Sequence, residues 1–373
     1  MTSRGLQRFI AFGIISFCLG GGLGYAARLR HPDRSVQNPP ESLPDSAIAT
    51  TPSPSLPTPP AAKPPATATP AKAPTPKPSP APATPTPQPS PPAKPKSQVK
   101  GTSITIKAVG DVIPGTNYPD YRLPDDPKTL LPDPIQAYLK SADLTFGNFE
   151  SSLTTYPYST KDVSRGQVFA FRSPPEYAQL FAQSGFDVFN IANNHAMDFG
   201  ESGLKDTIAN LSAAGVKSVG KKNQILMMKV KDIDVAVVGF SPYDYYNSVQ
   251  DLEAAKALIA KAKEQAQITI VSMHAGAEGT DALHVADRTE FFFGENRGNS
   301  VSFARTAIDA GADLVLGHGP HVPRAIELYQ GKLIAYSLGN FLGYRTLSTS
   351  AQAGYSLILE VTLNSDGNFV SGK

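Results

Sequence analysis

Between Pro39 and Pro95 the chain places 22 of its 35 prolines, and from His31 to Thr102 it carries no Phe, Tyr or Trp. Such a stretch cannot bury enough apolar surface to offset the entropy of ordering it, and its composition is that of a disordered linker. The globular part is therefore a single domain of about 270 residues, 102–373, large enough for a core of two or three layers. Charge divides at the same place. Residues 1–100 carry eleven Lys/Arg against three Asp/Glu, net +8; residues 101–373 carry 23 basic and 29 acidic groups, net −6. The domain has no Lys/Arg run, which argues against a nucleic-acid surface built on phosphate neutralisation. Cys18 is the one cysteine, so an intrachain disulfide is impossible, and the domain has neither a cysteine zinc site nor a thiol nucleophile.

Residues 9–27 form an apolar segment of 19 residues, which at 1.5 Å per residue spans ~28 Å, close to the hydrocarbon thickness of a bilayer. Arg4 and Arg8 precede it and Arg28, Arg30 and Arg34 follow, so flanking charge sets its orientation only weakly. The expectation is a retained transmembrane helix, with 1–8 cytoplasmic and the domain extracytoplasmic. The alternative is a cleaved signal with Gly24-Tyr25-Ala26 near the cut. A lipoprotein reading of Cys18 meets a bulky Phe17. Anchor and signal both export the domain. Residues 28–101 read as the linker; repeated Thr-Pro, Ser-Pro and Lys-Pro steps favour polyproline II and a reach of at most ~190 Å. Its lysines suit a plain stalk or weak contact with an anionic wall polymer.

From Ser103 onward, short apolar runs alternate with helical stretches, the pattern of an α/β layered sheet. The runs are 104–110, 142–147, 187–192, 235–240, 268–273, 314–317 and 333–338; helices are expected at 175–184, 204–214, 252–266 and 301–310. Hairpins are expected near 325–338 and 355–363.

The residues after these runs carry the chemistry. Asp111 follows the first run, and Asn148 and Glu150 the second. Asn193, Asn194, His195 and Asp198 follow the third. His274 and then Glu278 follow the fifth, and His318 and His321 the sixth. Ligands of α/β sheets bind at the carboxyl ends of strands, so parallel strands bring these side chains to one rim. Mixed oxygen and imidazole donors suit Mn, Zn or Fe better than an all-oxygen Mg or Ca cage. Two such ions ~3.5–4 Å apart clamp the attacking and leaving oxygens of a phosphoester displacement.

The ordered motifs GDVIPG, GNFES, ANNHAMDFG, MHAGAEG, GHGPH and YSLGNF, over about 104–345, resemble the CapA family of poly-γ-glutamate capsule biosynthesis proteins. The domain of that family looks like the calcineurin-like metallophosphoesterase fold. The resemblance implies a four-layer α/β/β/α sandwich. It implies one or two divalent ions held by Asp111, Asn148, Glu150, Asn194, His274, His318 and His321, with Glu150 as the bridging carboxylate. His195 becomes the general acid or transition-state donor, oriented by Asp198; Glu278, Arg297 and Asn340 become candidate substrate contacts. Two departures stand out. Phosphoesterases place a His two residues after the first Asp, where this chain has Ile113, and their last motif separates its two His by one residue, where His318 and His321 are separated by two. One ion position is then short of imidazoles.

Other features read more plainly. The segment Phe291–Ser300, three consecutive aromatics beside Glu295 and Arg297, is expected to be a buried loop anchor in preference to a substrate contact. Arg297 and Arg324 fit surface ion pairs or partners for an anionic substrate, and His284 a solvated surface. The segment 242–248 follows a strand and is a candidate piece of the rim. Two functions remain. One is a tethered, metal-dependent hydrolase of a phosphoester or related bond in an anionic envelope polymer. The other is a non-catalytic polymer-binding or export partner of membrane synthase subunits in a polyglutamate synthase complex.

Overall fold

The computed structural model describes residues 101–373. The expected membrane segment and nearly all of the proline-rich linker lie outside them. Among the described residues no helix is long and apolar enough to cross a membrane.

The first half runs β1 (Ser103–Ile113), α1 (Asp133–Lys140), β2 (Leu144–Phe149), α2 (Tyr177–Gln183), β3 (Val188–Asn190), α3 (Gly200–Ala213) and β4 (Lys217–Val219). There follow β5 (Leu226–Val230), β6 (Ile233–Phe240), α4 (Leu252–Gln265), β7 (Ile268–His274), α5 (Ser300–Asp309) and β8 (Leu314–His318). The chain ends with β9 (Ile326–Tyr329), β10 (Lys332–Ala335), β11 (Asn340–Gly343), β12 (Ile358–Asn364) and β13 (Phe369–Gly372).

Local chemistry sets several of these boundaries. Asp251 caps α4 by accepting from the Ala254 amide at 3.0 Å, and Asn299 caps α5 by accepting from Ser302 at 3.0 Å. Gly185, Gly215 and Gly311, just past α2, α3 and α5, take the left-handed backbone that ends a helix at little steric cost. The helix α1 was missed in the sequence because it is only eight residues long: Ile135, Tyr138 and Leu139 make one apolar repeat, too short a window to announce a helix.

One sheet has the order β13-β12-β1-β2-β3-β4, with β11 beside the end of β1. Strands β1 to β4 and β11 are parallel; β12 and β13 form an antiparallel hairpin whose second strand lies beyond the 355–363 expected, whereas β9 and β10 form the hairpin expected near 325–338. The second sheet runs β9-β10-β8-β7-β6-β5, parallel through its four central strands and antiparallel at both edges.

The sheets share one core. Ile104, Ile106, Phe146 and Val188 of the first meet Val235, Ile270, Leu316 and Leu333 of the second. Side chains alternate along a strand, so Val109, Phe149 and Phe189 turn outward onto α1–α3, while Val238, Val271 and Val315 turn outward onto α4 and α5. The layers therefore run helix, sheet, sheet, helix. Both faces of each sheet are covered, which is why the strands read as unbroken apolar runs.

Phe189 anchors the outer core of the first sheet, its ring 5.5 Å from Phe149, 5.3 Å from Phe181 and 4.7 Å from Phe186. Phe189→Ala is expected to cost about 3–5 kcal/mol in urea unfolding. A loss below about 1 kcal/mol would show that this cluster collapses around the cavity.

Candidate metal centre

The parallel strands end on one side of the sandwich and align their polar tips. Across the first sheet Asp111 pairs in register with Asn148, and Asn148 with Asn190; across the second, His318 pairs with His274. Asp111, Glu150, His274 and His318 are fully buried. Asn148 ties the first row together. Its amide donates to Asp111 Oδ1 at 2.8 Å and to Glu150 Oε2 at 3.3 Å, while its carbonyl accepts from Asn190 at 3.2 Å and Asn193 at 3.1 Å. Asn193 also reaches the Phe149 carbonyl and accepts from the His195 and Ala196 amides, so it fastens the ANNH loop to β2.

His321 enters this cluster through an unusual backbone. Its φ is +60°, a left-handed conformation uncommon outside glycine, and it brings Nδ1 to 3.0 Å from both Asp111 Oδ2 and Asn340 Oδ1. Nε2 lies 3.8 Å from Glu150 Oε1 and from Glu278 Oε2. Gly319, two residues earlier, has φ +103°, and a Cβ there would sit 3.0 Å from the His274 ring. Glycine is thus required at that position both for the turn and for the approach of the imidazole.

Burial and charge oppose one another here. Burial alone would push the Asp111 carboxyl up, but the hydrogen bond and charge of His321 hold it well below the usual range. Glu150 goes the other way: burial, then the neighbouring Asp111 charge, raise it well above an ordinary glutamate. Burial disfavours a charged His321, yet Glu150 and Asp111 raise its pKa to about 10. Its imidazolium supplies positive charge that two buried carboxylates require. Burial drives His274 well below its ordinary value and also lowers His318, so both rings are neutral, the state in which imidazole ligates.

The donors fit a divalent cation. Atoms of Asp111, Glu150 and His321 lie within 4.8 Å of one another. His274 Nε2 is 3.9 Å from Glu150 Oε1. Glu150 Oε1, both nitrogens of His274 and Asn194 Oδ1 are buried without a hydrogen-bond partner. Orphaned buried polar atoms are costly, and a cation among them satisfies several at once. His318 is placed differently from its neighbours. Its Nε2 is 3.1 Å from the Val109 carbonyl and its Nδ1 3.4 Å from Ser272 Oγ, so protein groups already occupy both nitrogens.

His195 is buried beside this pocket, against Phe171 at 4.5 Å. Its Nδ1 is 2.9 Å from Asp198 Oδ2, which also accepts from the Phe171 amide at 2.7 Å. Lys161 was invisible in the sequence, a lone lysine in a loop without a motif. Its Nζ lies 2.6 Å from Asp198 Oδ1, 3.2 Å from His195 Nδ1 and 2.9 Å from the Asn194 carbonyl. Burial, then the Lys161 charge, lower the His195 pKa against the pull of Asp198.

At the rim, Arg297 is buried rather than set in a surface ion pair; it reaches Glu278 at 2.9 Å and Glu295 at 3.0 Å and keeps Nη1 without a hydrogen-bond partner. Arg324 is buried too, held by both oxygens of Glu290 and by the Ala277 carbonyl. The expected buried anchor at Phe291–Phe293 is absent: Phe291 and Phe293 are exposed in the tip of a two-residue hairpin, where no layer lies above them. Asn340 orients His321 and donates to the Ala353 carbonyl at 3.1 Å. His284 is exposed, as expected.

The fold and site together define an α/β sandwich with a buried carboxylate–imidazole pocket at its strand ends. The family model described as bacterial capsule synthesis protein PGA_cap matches residues 105–345, and the chain belongs to that family. It is 30% identical over 246 residues to the PGA biosynthesis protein CapA of Bacillus subtilis, covering 60% of each chain. It is 29% identical over 252 residues to the capsule biosynthesis protein CapA of Bacillus anthracis, covering 60% of this chain and 56% of that one. The chain thus spans about 60% of the length of these curated relatives. A solved protein of Thermus thermophilus covers 73% of this chain and 99% of its own at 12% identity, with a TM-score of 0.38.

Proposed function

We propose that the chain is a membrane-tethered, extracytoplasmic protein of capsule, polyglutamate or related envelope-polymer synthesis, with a metal-dependent hydrolytic site of phosphoesterase type. The orphaned Glu150 Oε1 between His274 and His321 carries this reading, because a buried carboxylate flanked by two imidazoles is a cation site. Asp111, Glu150, His274 and His321 would hold the ion, Glu150 and His321 giving up their protons as it binds, with Asn194 Oδ1 as a further donor and Asn148 fixing both carboxylates. When bound, Mn, Zn or Fe supplies positive charge that polarises a phosphoryl oxygen. His195, donating Nδ1–H to Asp198, would give the leaving oxygen a proton from Nε2 as the imidazolium and return to the neutral ring, the form that burial favours. Arg297 Nη1 is left for an anionic oxygen of the substrate.

One observation favours the alternative of a binding or export subunit that works beside membrane synthase subunits. The first motif has a buried Ile113 where a phosphoesterase has its His, and His318 is engaged by the protein. The two readings separate in one assay. The full chain with Mn is expected to hydrolyse p-nitrophenyl phosphate or bis-p-nitrophenyl phosphate, to stop with a chelator and to recover on adding metal. Absence of turnover with Mn, Zn and Fe alike would leave the binding role.

A further inference from the structure

Aromatic rings surround the pocket that the proposed hydrolysis does not use. Phe169, 52% exposed, stacks on Phe171 with planes 10° apart, and Phe171 touches His195. Tyr158, 72% exposed, packs edge-on to Tyr156 in the loop whose Ser159 and Thr160 donate to the Asp198 carbonyl. Tyr245, 48% exposed, stacks on Tyr243 at 5.8 Å, and Tyr243 lies 6.0 Å from the Arg297 guanidinium. Phe293, 74% exposed, packs on Phe292, which is 5.6 Å from the same guanidinium. Three exposed rings, Phe169, Tyr245 and Phe293, thus connect through one further ring to His195 or Arg297, and Tyr158 lies in a loop tied to the Asp198 backbone. Exposed apolar groups gathered at a site mark binding, whereas scattered ones need no explanation.

The chemistry narrows the ligand. Exposed rings carried by several separate loops are more than one nucleobase needs. Polyglutamate offers no ring to stack and brings one carboxylate per residue into a rim that is already acidic. Of the nearby cations, Lys161 is paired with Asp198 and Arg324 with Glu290, and Arg297, paired with Glu278 and Glu295, keeps only Nη1 for a single anionic group rather than for a carboxylate on every unit. A pyranose presents a flat C–H face to an aromatic ring and turns its hydroxyls toward carboxylates and amides. We infer that these loops take a glycan chain, with sugar units stacked on Phe169 and Tyr245 and one anionic linkage at the carboxylate–imidazole pocket. The inference rests on reading that pocket as the hydrolytic site.

Calorimetric titration of the full chain with chitohexaose, cellohexaose, maltohexaose and poly-γ-glutamate tests it. At least one hexasaccharide is expected to bind. Phe169→Ala and Tyr245→Ala should each weaken that binding about tenfold, the loss of one aromatic hot spot. Leu328→Ala, an equally exposed apolar side chain on the edge strand β9 and outside these loops, should leave it unchanged. Unchanged melting temperatures for the two aromatic variants exclude misfolding, as both rings are half exposed. Tighter binding of poly-γ-glutamate, no binding of any hexasaccharide, or hexasaccharide binding indifferent to both variants overturns the inference. Metal content read on the same samples keeps the two claims apart. Bound metal without glycan binding sinks only the glycan assignment; glycan binding without metal sinks only the hydrolytic one.

Discussion

His195→Ala is expected to lower aryl phosphate turnover by about 10²–10⁴-fold, the range for losing a positioned acid, while the bound metal stays. The ring is fixed on three sides: by Asp198 Oδ2 at 2.9 Å, by Lys161 at 3.2 Å and by Phe171 at 4.5 Å. None of these contacts belongs to Asp111 or Glu150, the carboxylates proposed to hold the ion, so chemistry and metal binding should separate in this variant. Steady-state rates with elemental analysis of the same preparation check it. Turnover within threefold of the parent would remove the role given to the imidazole.

Asp111→Asn should weaken Mn binding by more than about 100-fold, beyond the 10–100-fold typical of an outer-sphere partner. Asp111 takes hydrogen bonds from Asn148 and from the Gly319 amide at 3.4 Å, and it faces His321. The amide keeps the shape but removes the charge and one acceptor, leaving the His321 imidazolium opposite a donor. Titration calorimetry with Mn measures the change; an affinity within tenfold of the parent would place the ion elsewhere.

The layered α/β pattern was legible because both faces of each sheet are buried, which turns strands into apolar runs with polar residues at their carboxyl ends. The same logic located Asp111, Glu150, His274 and His321, which the structure brings together. It was blind to what depends on backbone direction. His318 is the last residue of β8 and follows Leu314 and Leu316 into the space between the sheets, where Val109 and Ser272 meet its ring. His321 reaches the carboxylates only through a left-handed φ that a Gly-Pro-His string does not announce. Lys161 had no periodic or motif signal, and its partner Asp198 lies 37 residues further on. The exposed Phe291 and Phe293 were misread because three adjacent aromatics usually mark a core, and nothing in the sequence shows that a hairpin tip lifts them away from one.

The most direct test is elemental analysis of the full chain purified without chelator. One or two equivalents of Mn, Zn or Fe per chain, falling to background in His274→Ala, is the predicted result. A preparation that carries no transition metal and takes none up on dialysis against Mn, Zn or Fe would contradict the account at its root.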